Sequence, residues 1–197
     1  MNRRDVLKSS ALLFGYAVSP GTLTDLFVQC HAEAHLTWEP VFFNKYEAHL
    51  LAEVTETILP KTTTPGAKEL GVPAFIDKVV KDCLSPADQQ SFASELGNLD
   101  AACKKIYGKP FPECSAVQRE EYLLKLDREA PKFPPSAWGI TLAPPAPVAF
   151  FRRLKSMTLF GYYTSQKVGE EILNYDPIPG DYVACMPLKD VGNAWSE

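Results

Sequence analysis

NKYEAHLLAEVTETIL, residues 44–59, places Tyr46, Leu50, Leu51, Val54 and Ile58 near helical spacing, with acidic and polar residues opposite. An apolar stripe recurring every three to four residues marks an amphipathic helix with one face turned to a core. Pro60 ends it, since proline cannot donate to the helical ladder. The following KTTTPGAKELGV is rich in the turn formers Thr, Pro and Gly and reads as a loop.

The same period returns four times downstream. Residues 72–84 form a helix with Phe75, Ile76, Val79 and Val80 on its buried side. Ser85-Pro86 is a capping residue followed by proline at the first turn, opening a helix to about Ile106 with Phe92, Leu96, Leu99 and Cys103 inward. Tyr107-Gly108-Lys109-Pro110 stops it. Cys114-Ser115 begins another helix, through Glu129, carrying Val117, Tyr122, Leu123, Leu124 and Leu126. Residues 148–161 form a fifth, whose apolar face holds Phe150, Phe151, Leu154, Met157 and Phe160. No alternating strand pattern of useful length interrupts them. The expected fold is mainly α, a bundle-like domain of about five helices with long proline-rich loops and an extended C-terminal tail.

Two irregular stretches connect and finish this bundle. Residues 130–147, APKFPPSAWGITLAPPAP, hold six prolines, yet Phe133, Trp138, Ile140 and Leu142 give more apolar surface than a solvated linker needs, so an ordered, packed loop is expected. The tail from Gly161 to Leu188 combines four tyrosines, three prolines and Cys185. Pro179-Gly180 reads as a turn, so the second half of this tail is expected to be extended. It either wraps its own body or presents tyrosines to a partner, an environment in which an apolar ring with a polar tip is favoured.

The opening MNRRDVLKSSALLFGYAVSP has the layout of a signal segment, with Arg3-Arg4 and Lys8 ahead of an apolar run too short to span a bilayer. The paired arginines fit the twin-arginine pattern, which directs export of folded cargo. Ala32-Glu33-Ala34 offers a small-x-small cleavage site, dividing the chain into a signal segment, 1–34, and a single domain, 35–197. Gln29, standing where a small residue is expected before Cys30, argues against lipidation. The expected destination is the periplasm.

In an oxidising compartment the cysteines read as disulfide candidates. Without the signal segment four remain, Cys83, Cys103, Cys114 and Cys185, which permit three pairings. Cys103 with Cys114, flanking one short loop, is the preferred pair; Cys185 would then pair with Cys83 or reach a partner chain.

Composition narrows function by exclusion. A formal charge of −4 gives no basic patch for nucleic acid or anionic membrane. There is no GxGxxG after a strand, no phosphate-binding loop and no GxSxG elbow. No CxxC occurs, and the three histidines, His31, His35 and His49, are remote in sequence from the cysteines, so neither a metal centre nor a histidine base is expected. Glu53 with Glu56 and Glu170 with Glu171 read as solvated helix charges. An export signal of this kind on a chain without a site of its own suggests cargo that crosses the membrane folded onto a larger partner.

Four stretches together resemble the third, small subunit of gluconate 2-dehydrogenase: NRRDVLK at residues 2–8, ILPKTTTPGAKELGVPAFID from Ile58 to Asp77, FFRRLKSMTLFGYYTS from Phe150 to Ser165, and YDPIPGDYVACMPL from Tyr175 to Leu188. The resemblance covers nearly the whole chain. It implies an accessory subunit, non-catalytic itself, paired with a large flavoprotein of the glucose-methanol-choline type and often with a cytochrome c subunit. FAD and haem c would belong to those partners, and contact with the membrane would come only through the complex. Thr62-Thr63-Thr64-Pro65 departs from the TDTPGA-like run usual in the family, so any metal or capping role of that aspartate does not carry over. On this reading Tyr162, Tyr163, Tyr175, Pro179, Tyr182 and Cys185 are the candidate interface, with Phe133 and Trp138 a second patch. The alternatives are an autonomous periplasmic sugar-binding protein, with the aromatic tail and proline-rich loop lining its pocket, and an independent enzyme built on clustered carboxylates.

Overall fold

Each helix begins or ends where the local chemistry dictates. In a computed structural model that describes residues 36–131, 136–137, 140–141, 148–176, 178, 180 and 185–196, α1 spans Lys45–Ile58. It opens on a reciprocal capping box: Asn44 accepts the N–H of Glu47, and Glu47 accepts that of Asn44. Helix α2 (Val72–Cys83) follows Gly71, whose φ of 71° lies in the left-handed region. Ser85 caps α3 (Pro86–Tyr107), and Gly108, at φ 73°, ends it. A short 3₁₀ turn (Phe111–Glu113) leads to α4 (Ala116–Glu129), which starts on a second capping box made by Ser115 and Gln118. Then come α5 (Phe150–Tyr163), a π-helical turn (Val168–Ile172) and a one-turn helix α6 (Leu188–Val191).

Helix α1 is the axis of the bundle. Ala48, Leu50, Leu51, Ala52, Val54 and Thr55 are all buried, so more than one face of it is covered, and it packs against α2, α3, α4, α5 and the 3₁₀ turn. Around it lie Ile76 and Val80 of α2, Phe92, Leu96, Leu99 and Cys103 of α3, Tyr122 and Leu123 of α4, and Phe151 and Leu154 of α5. Phe92 is fully buried between Phe43 and Phe150, with ring centroids 6.0 and 5.0 Å away. Burial of a ring of this size contributes about 1.5–3 kcal/mol.

A buried carboxylate fixes the chain's approach to α1. Asp77, 1% exposed, accepts the backbone N–H groups of Val41, Phe42 and Phe43 at 2.6, 3.1 and 3.0 Å. Of these three donors, that of Phe43 is buried and would cost about 1–3 kcal/mol if left unpaired, while those of Val41 and Phe42 are part-buried.

The structure departs from the sequence expectations in three places. Ser136–Ala137 and Ile140–Thr141 pair as a two-residue antiparallel ladder, too short to leave an alternating pattern. Before and after its extended part, the tail makes contacts that the sequence did not show. Val168 is fully buried and anchors the π turn, and the backbone of Asn174 exchanges hydrogen bonds of 2.9 Å with Ala194 and Ser196. The side chains of Asn174 and Asn193 donate across the same junction, to Asn193 O and Ile172 O. Thus residues 193–196 fold back on 172–174. Finally, Tyr46 and Phe160, placed on buried faces by their spacing, are 48% and 62% exposed. Tyr46 lies at the edge of its stripe, where its hydroxyl reaches Asp100 Oδ2 at 2.6 Å. Arg3, Arg4, Phe133, Trp138, Pro179 and Tyr182 lie outside the described residues.

Candidate functional site

The loop between α1 and α2 is held by carboxylates that the sequence had suggested were solvated. Glu56 accepts the backbone N–H of Lys61 at 3.1 Å and of Lys68 at 2.8 Å. Its carboxylate lies directly against Gly66, where a Cβ would fall 2.7 Å from Oε2 and closer still to Oε1. A side chain there would have to push the Glu56 carboxylate aside. One turn back on α1, Glu53 is 13% exposed and is paired with both Lys68 and Arg119 of α4. Burial pushes the Glu53 carboxyl up, but the hydrogen bonds and charges of Lys68 and Arg119 outweigh it and hold the carboxyl below its ordinary range. His49, 3.9 Å from Glu53, is shifted downward, first by burial and then by the two cations.

These groups form one wall of a cleft of about 570 Å³ between α1, α4 and α5. Ile58, Leu123 and Phe151 supply an apolar floor, and Asp127 with Lys155, 3.1 Å apart, closes the far side. Its cations are matched: Lys68 and Arg119 to Glu53, Lys155 to Asp127. Its lining includes no tyrosine or tryptophan, and its one aromatic ring, Phe151, is 7% exposed. Among the described residues no group of three His, Cys, Asp or Glu could hold a metal ion, and no helix is long and apolar enough to cross a membrane.

On the other side of the same loop stands the end of α5. Tyr162 is 7% exposed and donates its hydroxyl to the carbonyl of Pro65 at 3.0 Å. Gly161 meets the ring of Phe75, 2.6 Å from where its Cβ would be. So the TPGA and GYYTS segments, almost a hundred residues apart in sequence, are packed on each other. Within the chain itself Tyr162 is thus packed inward, against the loop. A family model for gluconate 2-dehydrogenase subunit 3 matches residues 45–180, a span that contains both segments.

The chain belongs to the gluconate 2-dehydrogenase subunit 3 family. No curated protein and no solved structure matches it. The family is that of an accessory subunit of a dehydrogenase complex.

Beyond the buried Tyr162, α5 presents Phe160 and Tyr163, 62% and 53% exposed. The Tyr163 ring stands edge-on to Tyr162 at 5.5 Å, and Phe160 lies 6.0 Å from Phe75, so both rings are supported from below. Of the other predicted residues, Tyr175 is 52% exposed and Cys185 is exposed. The folded-back tail adds Trp195, Leu188 and Ile178, all exposed. Spacing could not have found Phe160, because its position on the stripe is that of a core residue. Trp195 gained its place through the Asn174 junction, which is a long-range contact. Cys103 and Cys114, the preferred disulfide pair, are brought together but carry free thiols.

Proposed function

We propose that this chain is the non-catalytic small subunit of an FAD-dependent dehydrogenase acting on a sugar, sugar acid or glycoside, and that it stabilises a large glucose-methanol-choline-type flavoprotein. The observation that carries this reading is the exposure of supported aromatic rings, Phe160 and Tyr163, on a family member whose loop between α1 and α2 is taken up by internal packing. Exposed aromatics held rigid from beneath are the side chains that most often anchor an interface. The Arg3-Arg4 segment supports a second role for the subunit, that of supplying the twin-arginine signal by which the folded pair reaches the periplasm. A cytochrome c subunit would then accept the electrons, and substrate contact, FAD and haem all lie with the partners.

Recovery of the tagged chain from its native periplasm, with mass identification and an absorption spectrum, tests this. A large partner bringing flavin bands is the expected result. A colourless chain recovered alone overturns it.

A further inference from the structure

Cys103 sits near the end of α3, and Cys114 lies between the 3₁₀ turn and the Ser115 cap of α4, so the two bracket the bend that joins these helices. Their sulfurs are 3.7 Å apart, and the residues are 0% and 4% exposed. The backbone on both sides is pinned independently of the sulfurs. Asp100 accepts the N–H of Phe111 at 2.6 Å, Cys114 donates its N–H to Phe111 O at 3.1 Å, and Tyr122 donates its hydroxyl to Leu99 O at 2.9 Å. A disulfide needs the sulfurs at ~2.05 Å, so an approach of about 1.7 Å separates contact from bond. Cys83 and Cys185 are exposed, and neither is placed against this pair.

We propose that Cys103 and Cys114 form an intramolecular disulfide when the chain folds in the presence of a small-molecule disulfide oxidant. The thiolate of one cysteine attacks the oxidant, giving a mixed disulfide and one released thiolate. The thiolate of the second cysteine then attacks the protein sulfur of that mixed disulfide and displaces the other half of the oxidant. Two thiol protons leave to solvent, two electrons end on the oxidant's sulfurs, and one S–S bond is exchanged for another. Burial, followed by the hydrogen bond with Cys114, pushes the Cys103 thiol up to about 12, so the fully folded chain reacts slowly and closure belongs to folding. The pairing stands on this geometry alone and not on the partner or the export route.

The test uses the full chain, reduced and unfolded, then refolded with oxidised glutathione, alkylated, and digested with trypsin and a glutamate-specific protease. Cleavage after Glu95 separates Cys83 from Cys103, and cleavage after Glu113 frees the peptide that begins at Cys114. The expected product is peptide 96–104 joined to peptide 114–119, two hydrogens lighter than their sum and lost on reduction. Alkyl groups on both cysteines after oxidative refolding overturn the proposal, as does Cys114 joined to Cys83 or Cys185.

Discussion

The hydroxyl of Tyr162 on α5 donates to the carbonyl of Pro65 at 3.0 Å, joining two segments 97 residues apart. This bond ties the last turn of α5 to the loop that leaves α1. Tyr162→Phe keeps the ring and removes only the donor, leaving a partly buried carbonyl unpaired, so a loss of about 1 kcal/mol is expected in urea unfolding. Affinity for the flavoprotein partner should be nearly unchanged. A large loss of partner binding with intact stability would place Tyr162 in the interface.

Gly66 is a sharper test of the same loop. A methyl group there displaces the Glu56 carboxylate, which holds the N–H groups of Lys61 and Lys68. Gly66→Ala is expected to cost about 1–3 kcal/mol, since up to two charge-assisted bonds are strained or lost. Glu56→Gln, which keeps an acceptor oxygen, should cost less. Equal stability of Gly66→Ala and the parent in denaturant titration would show that the loop holds itself.

The helices were open to sequence reasoning, whereas the partners of three carboxylates were not. The five long helices were legible because each carries a 3.6-residue apolar stripe, to which all but α5 add a cap or breaker at an end, as Ser85 and Gly108 do for α3. Glu53, Glu56 and Asp77 were not, because a carboxylate on a helix looks the same whether it meets solvent or the backbone of a distant loop. Their partners are decided in three dimensions: Asp77 serves residues 34 to 36 positions away, and Glu53 meets Arg119 across 66. The one local hint was glycine. Gly66 in TPGA marks a close approach, although the sequence does not say to what. Phe160 erred in the other direction, because periodicity assigns a face without saying how far the neighbouring helix extends.

Asp77 should be among the costliest polar positions in the chain. Asp77→Ala leaves three backbone donors without their acceptor, and a destabilisation on the order of 3 kcal/mol is expected. Asp77→Asn retains one acceptor oxygen and should fall between. Hydrogen exchange at Val41, Phe42 and Phe43 checks the cause, since these amides should lose protection first in either variant. Unchanged protection would place the cost elsewhere.

For the interface, Phe160→Ala and Tyr163→Ala are the informative pair. Each ring is more than half exposed, so truncation should leave the isolated chain within about 1 kcal/mol of the parent. If these rings enter pockets of the flavoprotein, each truncation should weaken association by about 2 kcal/mol, or roughly thirtyfold. Titration calorimetry with the purified large subunit reads this directly. Parent-like affinity in the double variant would move the anchor to Tyr175, Trp195 or another part of the surface.

Acid should loosen the α1–α4 wall in two steps. The His49 imidazole is shifted below its ordinary 6.5, so between that value and its lower folded value the unfolded chain binds more protons. Stability is then full above about pH 6.5 and falls as the pH drops through the folded value. Glu53 is likewise held below its ordinary 4.5, so its share is present above that pH and is lost as pH falls through its own lowered value. The urea midpoint should therefore be level near neutrality, decline below pH 6.5 and decline again below 4.5. In Glu53→Gln the second decline should shrink, because nothing at that position is left to protonate. Parallel pH profiles for the parent and Glu53→Gln would show that the pairing of Glu53 with Lys68 and Arg119 contributes nothing to the acid response.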